Sequence, residues 1–346
     1  MICSLRTFSQ TSDSLQNSLL AYPVGFYLPE TGFGGGLAIS YNFHLNKQDT
    51  ISPASQVQLG IAYTQHRQVL GYLPFHFYWN ERRHEISGEI GYNDYPYYYY
   101  GTFSTPQVHR EKYDATYPLF RISYLRKIKS KIFIGPRFWF AHYNIQPNLE
   151  MSEMVSNNIQ GALGGTTSGL GLVALFDSRD NIYYSEKGQF LELSFNNYSK
   201  KIGSDFDYNR YRFDYRFFEK IDSKNTIGIQ VFGDFMNGNI PFYDMTGIGS
   251  NKRMRGYVEG RHRANNLILA QLEYRWHFHK RWGVTVFGSY AKLEDHISNL
   301  PQGIDYAAAG MGARYFFDIK KRITIRLDAA VGPHGMNYYF TIGESF

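Results

Sequence analysis

The amino-acid sequence predicts an all-β chain rolled into a transmembrane antiparallel β-barrel of about sixteen strands. Three observations predict it. Long segments alternate apolar and polar residues with a period of two. Their apolar rows are heavily aromatic, while their polar rows carry arginines interspersed with carboxylates. Very short charged connections alternate with much longer ones.

The composition fits this class. The 346 residues include 30 Tyr, 27 Phe and 33 Gly, and the mean hydropathy is −0.40. No run approaches the roughly 18 consecutive apolar residues of a membrane helix. A barrel needs no such run, because only every second residue of a strand meets lipid. The formal charge of +6 is mild for this length, and no nucleic-acid-binding motif accompanies it. Cys3 is the single cysteine, so no intramolecular disulfide forms.

Residues 1–20 lack the cationic start and apolar core of a secretion signal and read as a disordered leader. The strands then follow at 21–28, 33–44, 54–66, 68–80, 84–94, 113–127, 130–145 and 167–178. The second half continues at 188–198, 207–220, 224–236, 265–278, 281–292, 306–318, 321–332 and 336–346. The clearest segment is NLILAQLEYRWHF, Asn266 to Phe278. Ile268, Ala270, Leu272, Tyr274, Trp276 and Phe278 form one row, and Leu269, Gln271, Glu273, Arg275 and His277 the other. Near residue 211, Tyr211, Phe213, Tyr215 and Phe217 oppose Arg210, Arg212, Asp214 and Arg216. Further on, Ile323, Ile325, Leu327, Ala329 and Val331 oppose Arg322, Thr324, Arg326 and Asp328. The last segment sets Tyr338, Phe340, Ile342 and Phe346 in its apolar row, which Glu344 breaks near the membrane edge.

A soluble sandwich also alternates, but its apolar face is a core of Val, Ile and Leu. Here aromatic residues concentrate near strand ends, as in the girdles of a membrane barrel. An arginine facing lipid at mid-bilayer costs about 2–4 kcal/mol, so Arg275, Arg326 and Asp328 are expected to face a lumen. Connections are minimal at 81–83, 128–129, 221–223, 279–280 and 319–320, and long near 95–112, 146–166, 237–264 and 293–305. Short periplasmic turns and long outer loops place both termini in the periplasm. The aromatic run Tyr92–Tyr100 falls in the third outer loop and its girdle.

The long connection 237–264 is the sixth on the outer side and holds NKRMRGYVEGRHRANN. Gly256 lets its backbone turn sharply and approach a wall. Arg255 presents a planar fork suited to a carboxylate. Glu273, inward on the next strand, is the best partner. A solvated basic loop is the alternative.

Met254-Arg255-Gly256-Tyr257 resembles the Val-Arg-Gly-Tyr/Phe loop of the BamA/TamA superfamily of outer-membrane assembly factors and two-partner-secretion transporters. Asp177-Ser178-Arg179-Asp180-Asn181 with Gly188, Gln271 to Arg275, Gly310-x-Gly312-x-Arg314-Tyr315 and Ile325 to Asp328 resemble its other motifs, as does the Gly34 to Gly36 hairpin. The resemblance spans the chain from residue 21. It implies that loop 6 folds into the lumen, where Arg255 meets wall carboxylates. A second carboxylate is usual in a Phe-x-Asp pattern, but here the match is Phe287-Gly288-Ser289. Ser289 accepts a hydrogen bond but carries no charge, so Arg255 is expected to lean on Glu273 alone. The family's assembly factors carry periplasmic POTRA domains. Some twenty residues precede the first strand here, which reads as a barrel-only member.

The resemblance implies insertion or export of proteins at the seam between first and last strands. Pro23 and Gly25 in strand one, and Gly335, Gly343 and the terminal Phe346, mark that seam as weakly paired. A structural or scaffolding subunit of a larger complex is the alternative, and an anion-favouring diffusion channel a third. Expected partners are lipopolysaccharide outside, phospholipid inside and periplasmic or outer-membrane proteins standing in for POTRA domains. Neither cofactor nor metal is expected, and His277 and His279 lack further ligands. Gly165-Thr166-Thr167-Ser168-Gly169 is no nucleophile elbow and Gly32 to Gly36 no phosphate loop, so an enzyme is not expected.

Overall fold

The alternating rows seen in the sequence become the two faces of one closed sheet. The structure, a computed structural model, describes residues 17–104, 106–147, 152–319 and 322–346. Most of the leader, with Cys3, lies outside the described residues. In the first half the wall strands are β1 (Ser18–Leu28), β2 (Gly32–Phe43), β3 (Ser55–Thr64), β4 (Val69–Trp79) and β5 (His84–Asp94). They continue with β7 (Pro106–Lys129), β8 (Ile132–Pro147), β9 (Gly164–Asp177), β10 (Gly188–Tyr198), β11 (Tyr208–Lys220) and β12 (Asn225–Gly238). The wall ends with β15 (Asn266–His279), β16 (Trp282–Glu294), β17 (Ile304–Asp318), β18 (Ile323–Gly332) and β19 (Gly335–Ile342). Each pairs antiparallel with its neighbour, and β19 meets β1 to close sixteen strands among the described residues.

The period-two rows sort as a lipid-facing surface requires. On β15, Leu272, Tyr274 and Trp276 are 44–52% exposed, whereas Glu273 and Arg275 are wholly buried. On β18, Leu327 and Val331 face out, and Thr324, Arg326 and Asp328 are buried. No membrane-length apolar helix occurs among the described residues, and strands satisfy their backbone groups only by closure.

Three elements differ from the sequence-based expectation. β1 begins at Ser18, inside the predicted leader. β7 begins at Pro106 and pairs beyond the wall with β6 (Tyr97–Gly101), so part of the long connection 95–112 is a hairpin extension. Its Tyr97 and Tyr99 are buried with Phe242 of the sixth loop instead of joining a girdle. The last strand stops at Ile342. Gly343 takes φ +86, a left-handed value that glycine tolerates, and the chain leaves the sheet there. Glu344 and Phe346 therefore do not continue the outer row. The Glu344 side chain is buried against Arg314, and Phe346 is buried beside Phe218.

Candidate functional site: the loop 6 clasp

The connection between β12 and β15 is the sixth on the loop side. Its two arms pair as β13 (Thr246–Ile248) and β14 (His262–Ala264), which brings residues 249–261 to a narrow tip. A turn at Ser250, whose N–H donates to Arg253 O at 2.8 Å, starts that tip. Met254 follows at φ +52 and Gly256 at φ +112. At Gly256 a Cβ would sit 3.0 Å from Val331 O, a tight contact, and φ +112 would strain any L side chain there, so glycine suits the tip's approach to β18. Gly332 meets the same approach from the wall: a Cβ there would be 2.4 Å from Gly256 O.

Arg255 is the centre of the contacts. Its Nη2 donates to Glu273 Oε1 on β15 at 2.5 Å, and its Nη1 to Asp328 Oδ2 on β18 at 2.6 Å. Its guanidinium lies 3.4 Å from the ring centroid of Phe287 on β16, a cation–π arrangement. Neighbouring backbone atoms are also held. The Gly256 N–H donates to the Tyr339 hydroxyl at 2.9 Å, Asn337 Nδ2 to Gly256 O, and the Tyr257 hydroxyl to Ala307 O. Arg326 Nη2 donates to Asn251 O at 2.7 Å, and Gln271 Nε2 to Lys252 O at 2.9 Å.

The two carboxylates are shared. Glu273 Oε2 also accepts two hydrogen bonds from Arg275, and its Oε1 accepts from the Ser345 hydroxyl. Asp328 Oδ1 accepts from Arg314 Nη1 at 2.6 Å, and Arg314 Nε donates to Glu344. Arg275 reaches further, to the backbone oxygens of Ser185 and Phe346. A buried charge is tolerable only when paired and hydrogen-bonded, and each of these charged groups has an ion-pair partner of opposite sign. The network thus joins loop 6, four wall strands and the chain end.

The glycine motif on β17 acquires a reason. Gly310 is opposite Phe287 and Gly312 opposite Asp328. A Cβ at Gly310 would lie 2.5 Å from Phe287 Cζ, and one at Gly312 would lie 2.0 Å from Asp328 Oδ1. Each absence makes room for one partner of Arg255.

An Omp85 superfamily domain matches residues 20–346. The chain belongs to the Omp85 superfamily. The fold of this Omp85 barrel is similar to the crystal structure of Haemophilus ducreyi BamA lacking POTRA domains 1–3. The identity there is 13% and the TM-score 0.66, covering 94% of this chain and 70% of that one. It is also similar to CdiB from Acinetobacter baumannii (11% identity, TM-score 0.63, 94% and 59% covered). CdiB from Escherichia coli is alike at 11% identity and TM-score 0.61, with 94% and 62% covered. The chain thus spans less than two thirds of either CdiB chain. No curated protein matches it.

Among the expected site residues of this Omp85 chain, Arg255, Gly256, Tyr257, Glu273, Arg275, Arg326 and Asp328 come together. Ser289 does not: its hydroxyl points to Ala308 O at 3.4 Å, not to loop 6. The expectation that Arg255 leans on Glu273 alone is corrected by Asp328, which supplies the second carboxylate from β18. In Phe287-Gly288-Ser289 it is the phenylalanine that touches the arginine.

The seam residues are separate from the clasp. Pro23 and Gly25 belong to an unbroken ladder with β2, opposite Leu37 and Gly35. Toward β19 the ladder is a single pair among the described residues, Tyr27 opposite Phe340. Two stops cause this. β1 ends at Leu28, and β19 turns inward at Gly343 before it could face Pro23. Gly335 ends a two-residue turn opposite Gly332.

Sequence reasoning missed a second device, on the turn side. Residues 178–187, between β9 and β10, fold across toward β15 and β17. Tyr184 packs edge-on to Phe316 at 4.9 Å, and Arg322 Nη1 donates to Asp180 Oδ2 at 2.6 Å. Asp180 Oδ1 also accepts the N–H groups of Glu186 and Lys187. The Asp177 to Asn181 motif was the available signal, but its partners lie some 140 residues away.

Proposed function

We propose that this chain is the barrel of an outer-membrane protein-assembly or translocation factor that acts on client strands at its β1–β19 seam. In this reading loop 6 sits inside the lumen, the Arg255 clasp holds it there, and both termini face the periplasm. The observation that carries the reading is the single ladder pair Tyr27–Phe340 in a wall whose other strands pair along most of their length. Unpaired backbone groups within a bilayer each cost several kcal/mol. A seam that leaves them unpaired is satisfied by another strand, by β-augmentation. The similarity in fold to BamA and CdiB barrels supports the same reading.

The test is a covalent lock. Tyr27→Cys with Phe340→Cys places two thiols at opposed positions, and oxidation joins the strands. Cells depleted of the wild-type chain and carrying the oxidised double variant should lose the outer-membrane or exported proteins that depend on it, and reductant should restore them. Undiminished client assembly with the seam cross-linked would refute strand exchange there.

A further inference from the structure

The outer wall carries a charged corner that the proposed seam and clasp do not use. Trp79 at the end of β4, His84 at the start of β5, and Tyr124 and Arg126 on β7 share the lipid-facing row at the turn-side rim. The alternation places them there, because Tyr78, Glu85 and Leu125 are buried on the other face. The three rings cluster, each in contact with the other two: Trp79 to His84 at 5.2 Å and 10°, His84 to Tyr124 at 6.0 Å and 19°, and Trp79 to Tyr124 at 6.3 Å and 29°. His84 Nδ1 and the Tyr124 hydroxyl are hydrogen-bonded at 2.7 Å. Arg126 lies directly opposite His84 in the ladder and is exposed. Lys129 and Lys131, also exposed, follow in the adjoining turn. No carboxylate pairs with any of these three cations among the described residues.

The opposite part of the same rim provides the contrast. There Trp282 and Tyr315 form a comparable aromatic corner at 4.9 Å, but Arg281 spends its guanidinium on the backbone oxygens of Phe316 and Phe317. Among the described residues Arg126 makes no such internal side-chain bond. Aromatic belts mark the headgroup level, and a guanidinium fork matches a phosphate.

We propose that Trp79, His84, Tyr124 and Arg126, flanked by Lys129 and Lys131, form a binding site for the phosphate headgroup of an anionic phospholipid. The tryptophan and tyrosine rings bracket the glycerol region, and Arg126 takes the phosphate. The choice of phospholipid over lipopolysaccharide rests on the proposed orientation, with the turn side in the periplasmic leaflet. The binding selectivity itself does not depend on it.

The test uses the full chain in mixed micelles containing equimolar phosphatidylglycerol and phosphatidylcholine, and in a second set equimolar phosphatidylglycerol and lipid A, with retained lipid counted by native mass spectrometry. The wild type is expected to retain phosphatidylglycerol preferentially. Arg126→Gln should lower that retention about fivefold, the worth of one cation near an anionic surface. Arg281→Gln should leave it unchanged, and heat-modifiable gel migration confirms that both variants fold. Equal retention of the two lipids, or equal losses in both variants, overturns the site. Preferential retention of lipid A over phosphatidylglycerol overturns the phospholipid assignment. Because the assay is in micelles, an inverted orientation in cells would leave its result intact, so the two ideas fail separately.

Discussion

Arg255 Nη1 and Asp328 Oδ2 are 2.6 Å apart although 73 residues separate them, and both side chains are buried. That bond fastens a loop to a strand three positions round the wall from β15, where the loop re-enters the sheet. The same guanidinium holds Glu273 with its other arm. Loop and wall are therefore joined through a bifurcated grip that lysine, with its single ammonium, does not reproduce.

Arg255→Ala leaves Glu273 and Asp328 with one cation fewer. Removing one partner of a buried pair costs about 3–5 kcal/mol. The expected outcome is a lower unfolding temperature of the purified barrel together with rapid tryptic cleavage after Lys252, Arg253 or Arg261. Arg255→Lys should recover only part of the protection. Wild-type protease resistance in Arg255→Ala would mean that the clasp does not hold the loop.

Gly312→Ala tests the wall side of the same grip. The added methyl would stand 2.0 Å from Asp328 Oδ1, so the carboxylate must shift away from Arg255 and Arg314. Overpacking of this kind costs about 1–3 kcal/mol. Loop 6 should become trypsin-sensitive with Arg255 itself intact. Combined with Asp328→Asn, the change should add little further sensitivity, because both act through one carboxylate. Full additivity would separate the two.

Glu30, in the β1–β2 turn outside the wall, predicts a pH dependence. Burial, and next the Glu259 carboxylate from loop 6, raise its pKa from 4.5 to about 8. The folded state then holds a proton that the unfolded state releases between those values. The associated stability is full below about 4.5 and falls as pH rises to about 8. Glu30→Gln should flatten this slope and stabilise the contact with loop 6 at alkaline pH. Unfolding temperatures measured from pH 5 to pH 9 decide it; a parallel slope in the variant would remove Glu30 as its source.

Asp180→Ala should loosen the turn-side connection 178–187. It removes the nearest acceptor of Arg322, leaving Glu186 and Tyr184 O at 3.5 Å, and the acceptor of two backbone N–H groups. Planar-bilayer recordings should find a higher conductance than the wild type, with loop 6 protection unchanged. Identical conductance would mean that this segment does not narrow the passage.

The sixteen strands, the sorting of arginines and carboxylates to one face, and the glycine at the loop tip were all legible in the sequence. They depend on neighbouring residues, because a strand's two faces follow from its period and a left-handed turn from one residue's missing Cβ. What the tertiary structure decided is who meets whom. Asp328 takes the place that Ser289 could not, Gly310 and Gly312 clear space for Phe287 and Asp328, and Gly343 turns the chain end from the lipid row into the network. Those meetings are set by how the closed wall staggers one strand against the next. That stagger is a property of the whole cylinder, and no local pattern of residues encodes it.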